Sequence, residues 1–178
     1  MANFREIVTK AVIGKAKKTS GGKHLVEPEN AVNTVLGCWV INHNFSGSNN
    51  SGNVLINGAF DVNVWYSYDD DTKTAVATKR FNYTEKMNVP LRGDAVLDNS
   101  SEIIVRVLKQ PTVSNVEVKN GQFELLIEKE MGVEIVGNTK VKVSVEEIDE
   151  VYIELVDEEI IDEIDNLNAD YLDDASER

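Results

Sequence analysis

The stretch that decides the fold is VLINGAFDVNVWYSYDDDTKTAVATKRFNY, residues 54–83. Apolar and aromatic side chains occupy every second position from Phe60 to Tyr68, and mostly polar ones, with Trp65 among them, lie between. Such alternation predicts a strand with one buried and one solvent-facing side. Asp69–Asp71 then interrupt the run, because adjacent carboxylates neither pack well nor suit a strand, and a second alternation follows. We therefore predict a long antiparallel pair, closed by an acidic turn, at the centre of a sheet.

Two runs nearer the N-terminus add strands to this pair. The first, FREIVTKAVIGKAKK at residues 4–18, fits a helical stripe as well as a strand, but its β-branched residues favour a strand. The second, LGCWVINHNF at residues 36–45, carries apolar groups on both sides, which is expected of a strand covered by a second sheet or by a neighbouring subunit. Loops are expected at residues 20–22, around Pro28 and at residues 46–52.

The second half of the chain predicts further strands and turns. Residues 87–98 are expected to cross from one sheet to another, and Gln110-Pro111 to end a strand. Asn120-Gly121 and Gly137-Asn138 are expected to form hairpin turns, the first being the stronger signal. The predicted strands lie at residues 102–108, 113–119, 123–128, 133–136 and 141–145. Together these runs predict an all-β protein, an antiparallel β-sandwich or barrel of about eight strands.

Charge divides the chain into two parts. Of the 31 acidic residues, 15 lie in residues 146–178 beside one basic residue, which leaves 16 acidic against 17 basic in residues 1–145. We therefore predict a β-sandwich body at residues 1–147 and an acidic C-terminal extension, partly helical or disordered, at residues 148–178. The N-terminal strand is locally basic, so the charges permit head-to-tail contacts between copies or contacts with a partner, and the alternative is that both ends are simply solvated. Nucleic acid is disfavoured as a partner, since the body has no basic excess.

The acidic extension also carries apolar residues at three- and four-residue steps. This spacing predicts an amphipathic helix near residues 149–165, suited either to a groove with a basic rim on a partner or to packing on its own domain. The residues proposed to bind a partner are Val151, Tyr152, Leu155, Ile160 and Ile164.

Composition and motifs argue against most catalytic classes. One cysteine and two histidines exclude a disulfide framework within the chain and disfavour zinc, and Cys38 and His43 are expected to be structural. No phosphate loop, metalloprotease or serine-hydrolase motif is present, and Asp69–Asp71 are expected to form a solvated turn rather than a Ca²⁺ site. The start lacks a signal-peptide core, and no run approaches a membrane span, so we expect a soluble intracellular protein with no catalytic residue, metal or cofactor.

Several segments resemble the outer spore-coat morphogenetic protein CotE family of endospore-forming bacteria. They are the runs at residues 4–18 and 36–45, the block GAFDVNVWYSYDDDTKTAVATKRFNY at residues 58–83, VLKQPTV at residues 107–113 and the acidic end. The most specific piece is DVNVWYSY with the aspartate turn and TKT that follow it. The resemblance spans nearly the whole chain, although the last third matches in acidity rather than residue by residue.

The resemblance implies a structural protein. A member of this family would occupy the mother-cell cytoplasm and then the outer coat, self-associating around the forespore. It would depend on the inner morphogenetic ATPase layer and recruit other spore-coat proteins through separate regions. No catalytic residue or cofactor comes with the family.

A scaffold needs surfaces that bind copies of itself, either open strand edges or exposed apolar patches. The candidate self-association residues are Ile7, Val8, Val12, Ile13 and Trp65. Trp65 lies on the more polar side of its strand, where it can anchor an interface or pack beneath a second sheet, and we slightly favour the second. Our hypothesis is a symmetric homo-oligomer in which the N-terminal segment completes a neighbour's sheet.

Two function classes follow from the sequence. The first is a self-assembling scaffold of the spore coat, and the alternative is a monomeric β-sandwich module that binds peptide or carbohydrate. Solvent-exposed aromatic residues in a row would favour the binding module, whereas edge pairing would favour the scaffold.

Overall fold

A computed structural model describes residues 3–145, of which Glu6–Val143 form one compact unit. These residues build six long strands and no helix. The strands are β1 (Asn3–Val26), β2 (Thr34–Asn50), β3 (Asn53–Tyr68), β4 (Lys73–Met87), β5 (Glu102–Lys119) and β6 (Gln122–Val145). The all-β prediction is confirmed. The predicted number of about eight strands is wrong, because several predicted strands are joined into single longer ones. The predicted body and tail meet at residue 147, which lies outside the described residues.

The strands form two three-stranded sheets that pack face to face. Their orders are β2-β3-β4 and β1-β6-β5, so β3 and β6 are the central strands. β3 pairs antiparallel with β2 and β4 along nearly its whole length, which confirms the predicted central hairpin. Val62, Val64 and Tyr66, three alternate residues of β3, are at most 1 % exposed, as the two-residue period requires.

Two hairpins close with two-residue turns whose residues adopt positive φ. Ser51 and Gly52 (φ 52° and 83°) join β2 to β3, and Asn120 and Gly121 (φ 52° and 75°) join β5 to β6. Positive φ at both positions is the signature of the type I′ turn, which matches the twist of paired strands. The Asn-Gly hairpin is thereby confirmed, whereas most of the predicted loop at residues 46–52 is paired strand.

Gly137 does not make the predicted turn; it lies inside β6. A Cβ atom at this position would lie 2.6 Å from Cδ1 of Ile13, so the glycine provides room for a core side chain of the neighbouring strand. The predicted hairpin at residues 133–145 is therefore wrong, because this glycine serves packing rather than chain reversal.

Pro111 does not end a strand either. It is buried within β5, which is an edge strand, at a point where the register with β6 shifts between Lys109 and Thr112. An edge position and a register shift are the two settings in which a strand tolerates a residue without an N–H group. β1 likewise runs through residues 20–22, which were predicted to be a loop.

The segment between β4 and β5 crosses from one sheet to the other, as predicted for residues 87–98. Its Val89 and Leu97 are buried in the core. The Arg92 N–H donates a hydrogen bond of 2.7 Å to the carbonyl of Ile13, and Leu91 forms a bridge to Gly14. The crossing segment therefore covers the edge of β1 near its middle.

The core between the sheets consists of two apolar clusters. The first contains Ile13, Val54, Ile56, Met87, Val89, Leu97, Met131, Val133 and Ile135. The second contains Val26, Phe60, Val62, Val64, Tyr66, Ala77, Phe123, Leu125 and Ile127. Tyr83 packs against both clusters, and the buried polar side chain of Lys129 lies in β6 between Ile127 of one and Met131 of the other.

The acidic turn between β3 and β4 is held by its own side chains. All three aspartates have positive φ (55°, 54° and 63°). Asp71 accepts hydrogen bonds from the hydroxyls of Ser67 and Thr34, the latter at 3.0 Å, and Asp69 forms a 2.8 Å ion pair with Lys73. The side chain of Asp70 is exposed.

We expect Asp70→Gly to raise the free energy of unfolding by about 0.5–1 kcal/mol, because glycine adopts positive φ without steric strain. Urea denaturation of both proteins measures the difference. Asp71→Gly is the matched control, since it relieves the same strain but loses the hydrogen bonds from Ser67 and Thr34. A gain of equal size in both variants would contradict this interpretation of the turn.

Candidate interaction surfaces

The N-terminal strand exposes three of the four residues proposed for self-association. Ile7, Val8 and Val12 are 42 %, 70 % and 41 % exposed. Ile13 is 2 % exposed and belongs to the first core cluster, so its proposal as an interface residue was wrong. The alternation of β1 turns this side chain between the sheets, where it meets Gly137.

The edge of β1 is covered along only part of its length. β1 is the outermost strand of its sheet, and the crossing segment covers it at Ile13 and Gly14. Residues 6–12 precede this cover. Beside them lies an open cleft of about 620 Å³, lined by Val8, by residues 92–95 of the crossing segment and by residues 138–140 of β6.

Trp65 lies on the outer face of the β2-β3-β4 sheet and is 41 % exposed, so packing beneath the second sheet, which we had slightly favoured, is wrong. The strand register places it between Gly37 of β2 and Val76 of β4. Trp39, 44 % exposed, stacks beside it with ring centroids 6.0 Å apart and planes inclined by 28°.

Gly37 explains how the two indoles come together. A Cβ atom on Gly37 would lie 2.8 Å from Cζ3 of Trp39, so the Trp39 ring lies over the bare backbone next to Trp65. Trp39 was not predicted to be a surface residue, because both sides of β2 were expected to be covered. Ile41 lies on the same outer face, 39 % exposed, two residues beyond Trp39. We call Trp39, Trp65, Ile41 and Val76 the tryptophan face.

Polar groups beside the tryptophan face are paired across the strands. Thr78 donates a 2.9 Å hydrogen bond to the side-chain oxygen of Asn63. In the next row, Asp61 accepts hydrogen bonds of 2.9 Å from Asn42 and from Arg80. These bonds lower the pKa of Asp61, the one from Asn42 most strongly, so the carboxylate is ionised and neutralised by Arg80 at neutral pH.

The outer face of the other sheet is charged. Glutamates of the central strand β6 lie between cations of the two flanking strands. Glu134 pairs with Lys15 at 2.8 Å and Arg106 at 3.8 Å, and Glu124 pairs with Lys23 and Lys119. Exposed pairs of this kind contribute little to the free energy of unfolding and weaken in salt. The two faces of the sandwich are therefore chemically distinct.

A buried polar layer lies between the two apolar clusters. Lys129 of β6 forms an ion pair with Glu85 of β4, and both side chains are 10 % exposed. Ser20 of β1 accepts a 2.9 Å hydrogen bond from Lys129 and donates one of 2.6 Å to Glu85. Burial raises the pKa of Glu85, but the bonds from Lys129 and Ser20 outweigh it and leave the pKa lowered.

Aromatic side chains complete this layer. The ammonium group of Lys129 lies 4.1 Å from the centroid of the Tyr83 ring, a cation–π contact. The Tyr83 hydroxyl is 2.7 Å from Nε2 of His43, whose Nδ1 lies 3.2 Å from Gln110. Burial raises the pKa of Tyr83 to about 12 and lowers the pKa of His43, so both are neutral at pH 7. The His43 ring is thus held between Tyr83 and Gln110.

The polar layer was not predicted, although the sequence contains a signal for it. Lys129 occupies an inward position in the alternation of Phe123, Leu125 and Ile127, where a charge is out of place. Glu85 occupies the equivalent inward position in β4, two residues after Tyr83. Two opposite charges at inward positions of different strands predict a buried pair.

Neither an activated thiol nor a metal-binding cluster is found among residues 3–145. Burial raises the pKa of Cys38 to about 11, so its thiol is protonated at neutral pH and weakly nucleophilic. Among residues 3–145, no three His, Cys, Asp or Glu side chains gather closely enough to hold a metal ion. Over the same residues there is no helix of the length and apolarity needed to cross a membrane.

The partner-binding residues predicted in the acidic extension lie outside the described residues. They are Val151, Tyr152, Leu155, Ile160 and Ile164.

The chain matches a known protein family. The family model described as Outer spore coat protein E (CotE) matches residues 3–174, nearly the whole chain. No curated protein and no solved structure matches the chain.

Proposed function

The chain belongs to the outer spore coat protein E (CotE) family, and from that premise we propose that it is a self-assembling scaffold of the coat. Membership makes it a protein of the spore outer coat and places it in a structural family. Assembly from the mother-cell cytoplasm around the forespore is our proposal, as is recruitment of other coat proteins and attachment to the inner morphogenetic ATPase layer.

One observation carries the proposal of self-assembly: the leading half of β1 is an apolar strand edge. Residues 6–12 lie at the end of the β1-β6-β5 sheet, ahead of the segment that covers β1 at Ile13. Strand edges offer unpaired N–H and C=O groups and readily pair with another chain unless charge or a covering segment prevents it. The exposed Val8 beside an open cleft supplies an apolar anchor for a neighbour's strand.

Recruitment of other coat proteins is proposed for the acidic segment at residues 148–178. Its dense negative charge and its apolar residues at helical spacing support a role in binding partners with basic grooves. Assembly and recruitment would then use separate regions of the chain.

We expect Val8→Lys to weaken self-association of the full chain by at least about tenfold, because a charge on an edge strand opposes pairing with a second strand. Light scattering behind size exclusion, over a range of protein concentrations, measures the mass of the particles. The unsubstituted chain should gain mass as its concentration rises, and the variant should stay small.

Val96→Lys is the matched control, since Val96 is also 70 % exposed but lies in the crossing segment rather than on a strand edge. It should assemble as the unsubstituted chain does. Normal assembly of Val8→Lys would reject the β1 edge as the interface, and a monomeric chain at every concentration would reject self-assembly itself.

A further inference from the structure

We propose that the tryptophan face is a binding platform for a neutral oligosaccharide. Its two indoles stack against each other on a sheet surface, with ring centroids 6.0 Å apart, planes inclined by 28°, and exposed fractions of 44 % and 41 %. The platform lies on the β2-β3-β4 sheet, whereas the proposed assembly edge belongs to the other sheet. The two proposals therefore stand independently.

The chemistry of an indole face fits a sugar ring. The face of the indole carries negative charge density, and the axial C–H groups of a pyranose ring carry partial positive charge. Stacking satisfies both while removing apolar surface from water. Each indole keeps a little over two fifths of its surface exposed, and this surface is available to a sugar ring.

The neighbouring polar groups fit the hydroxyls of the same ligand. The hydrogen bond from Thr78 uses the side-chain oxygen of Asn63, so the amide nitrogen of Asn63 and the lone pairs of Thr78 keep hydrogen-bonding capacity. Both residues lie in the strand row that contains Trp39. A sugar stacked on that indole has donors and acceptors within reach of its rim.

Charge favours an uncharged ligand. The nearest charged row, Asp61 and Arg80, is an ion pair at 2.9 Å and is further bonded by Asn42. Separating this pair to bind a charged group would break existing hydrogen bonds. The charged outer face of the other sheet, by contrast, has no counterpart to two stacked indoles among the described residues.

The area of the tryptophan face is too small for a stable contact with a second copy. At about 40 % exposure, each indole presents roughly 90 Å² of its ~150–250 Å². With Ile41 and Val76 the exposed apolar area is roughly 300 Å², against roughly 450 Å² of apolar area per partner in a typical stable interface. One or two sugar rings cover such an area.

The protein carries its own reporter for this test. The chain has two tryptophans, and both belong to the tryptophan face, so intrinsic tryptophan emission reports on this face alone. We would titrate the full chain, at fixed concentration, with cellohexaose, chitohexaose and maltohexaose, following emission and heat by calorimetry. The expected result is a saturable blue shift with at least one of them.

Single variants identify the platform. Trp39→Ala and Trp65→Ala should each weaken binding by about tenfold or more, since each removes one stacking surface. Leu108→Ala, on the outer face of the other sheet and 53 % exposed, should leave the affinity unchanged. Circular dichroism and thermal melting of each variant separate loss of the ligand from loss of the fold.

Three results would overturn the proposal. They are no change in emission or heat with any of the three sugars, unchanged binding by both tryptophan variants, and a blue shift that grows with protein concentration in the absence of sugar. The last would mean that a second copy covers the face.

Discussion

Replacing Lys129 by methionine is expected to lower the free energy of unfolding by about 3–5 kcal/mol, the range found when one member of a buried ion pair is removed. The lost attraction between Lys129 and Glu85 accounts for the smaller part of this decrease. Glu85, 10 % exposed, would keep its charge between the sheets with only the hydroxyl of Ser20 to stabilise it. Urea denaturation of the unsubstituted protein and of the variant at pH 7 measures the difference.

The pH dependence of the two proteins should have opposite signs. In the unsubstituted protein the pKa of Glu85 is lowered, so its ionised form stabilises the fold above about pH 4.3, and this stability is lost as the pH falls through the folded-state pKa. In Lys129→Met, burial raises the pKa of Glu85 above its unfolded value, so protonation stabilises the fold as the pH falls. The deficit between the proteins should therefore shrink from pH 7 to pH 4.

The double variant Lys129→Met/Glu85→Leu is the control for this prediction. It removes both charges and should recover most of the stability, because two apolar side chains of similar size need no hydrogen-bond partners. A single variant as stable as the double variant at pH 7 would show that Glu85 is solvated, and the interpretation of a buried pair would be wrong.

Gly58→Ala is expected to destabilise the fold by about 3 kcal/mol. Gly58 lies in β3 directly under the ring of Tyr83, and a Cβ atom there would lie 2.7 Å from Cε1 and closer still to Cζ and the hydroxyl oxygen. The ring must move, which breaks its hydrogen bond to His43 and its contact with the ammonium group of Lys129. Thermal and urea denaturation measure the loss.

A double-mutant cycle with Tyr83→Ala tests the cause. If the Gly58→Ala effect comes from collision with the ring, it should nearly vanish in the Tyr83→Ala background, since no ring is left to displace. Additive losses would instead place the effect in the backbone of β3.

The sequence predicted what depends on local pattern. The alternation from Phe60 to Tyr68 predicts the buried side of β3, and Asn120-Gly121 predicts its turn, because each signal lies within a few residues of the structure it determines. The predicted number of strands was wrong where a residue typical of turns is required by a contact with a distant part of the chain. Gly137 resembles a turn residue in sequence, but its small size serves Ile13 on another strand.

The same limit applies to the surfaces. Val8 and Trp65 were each proposed from a single strand: Val8 as part of the N-terminal strand, and Trp65 because it is a large apolar residue on the more polar side of β3. Trp39 became part of a surface only through the register of β2 with β3, which sets Gly37 beside Trp65. The pairing of Lys129 with Glu85 depends on how two sheets face one another, and no single strand records it.

The polar layer also determines how the two sheets align with each other. Sliding one sheet over the other by one two-residue repeat would still set apolar side chains against apolar side chains in both clusters. The same shift would place Lys129 against an apolar residue and leave Glu85 without its cation. The polar layer therefore permits one alignment of the sheets and penalises the others. We therefore expect the doubly apolar variant, Lys129→Met/Glu85→Leu, to keep most of the native stability while its amide resonances broaden or multiply, because several alignments of the sheets become close in energy.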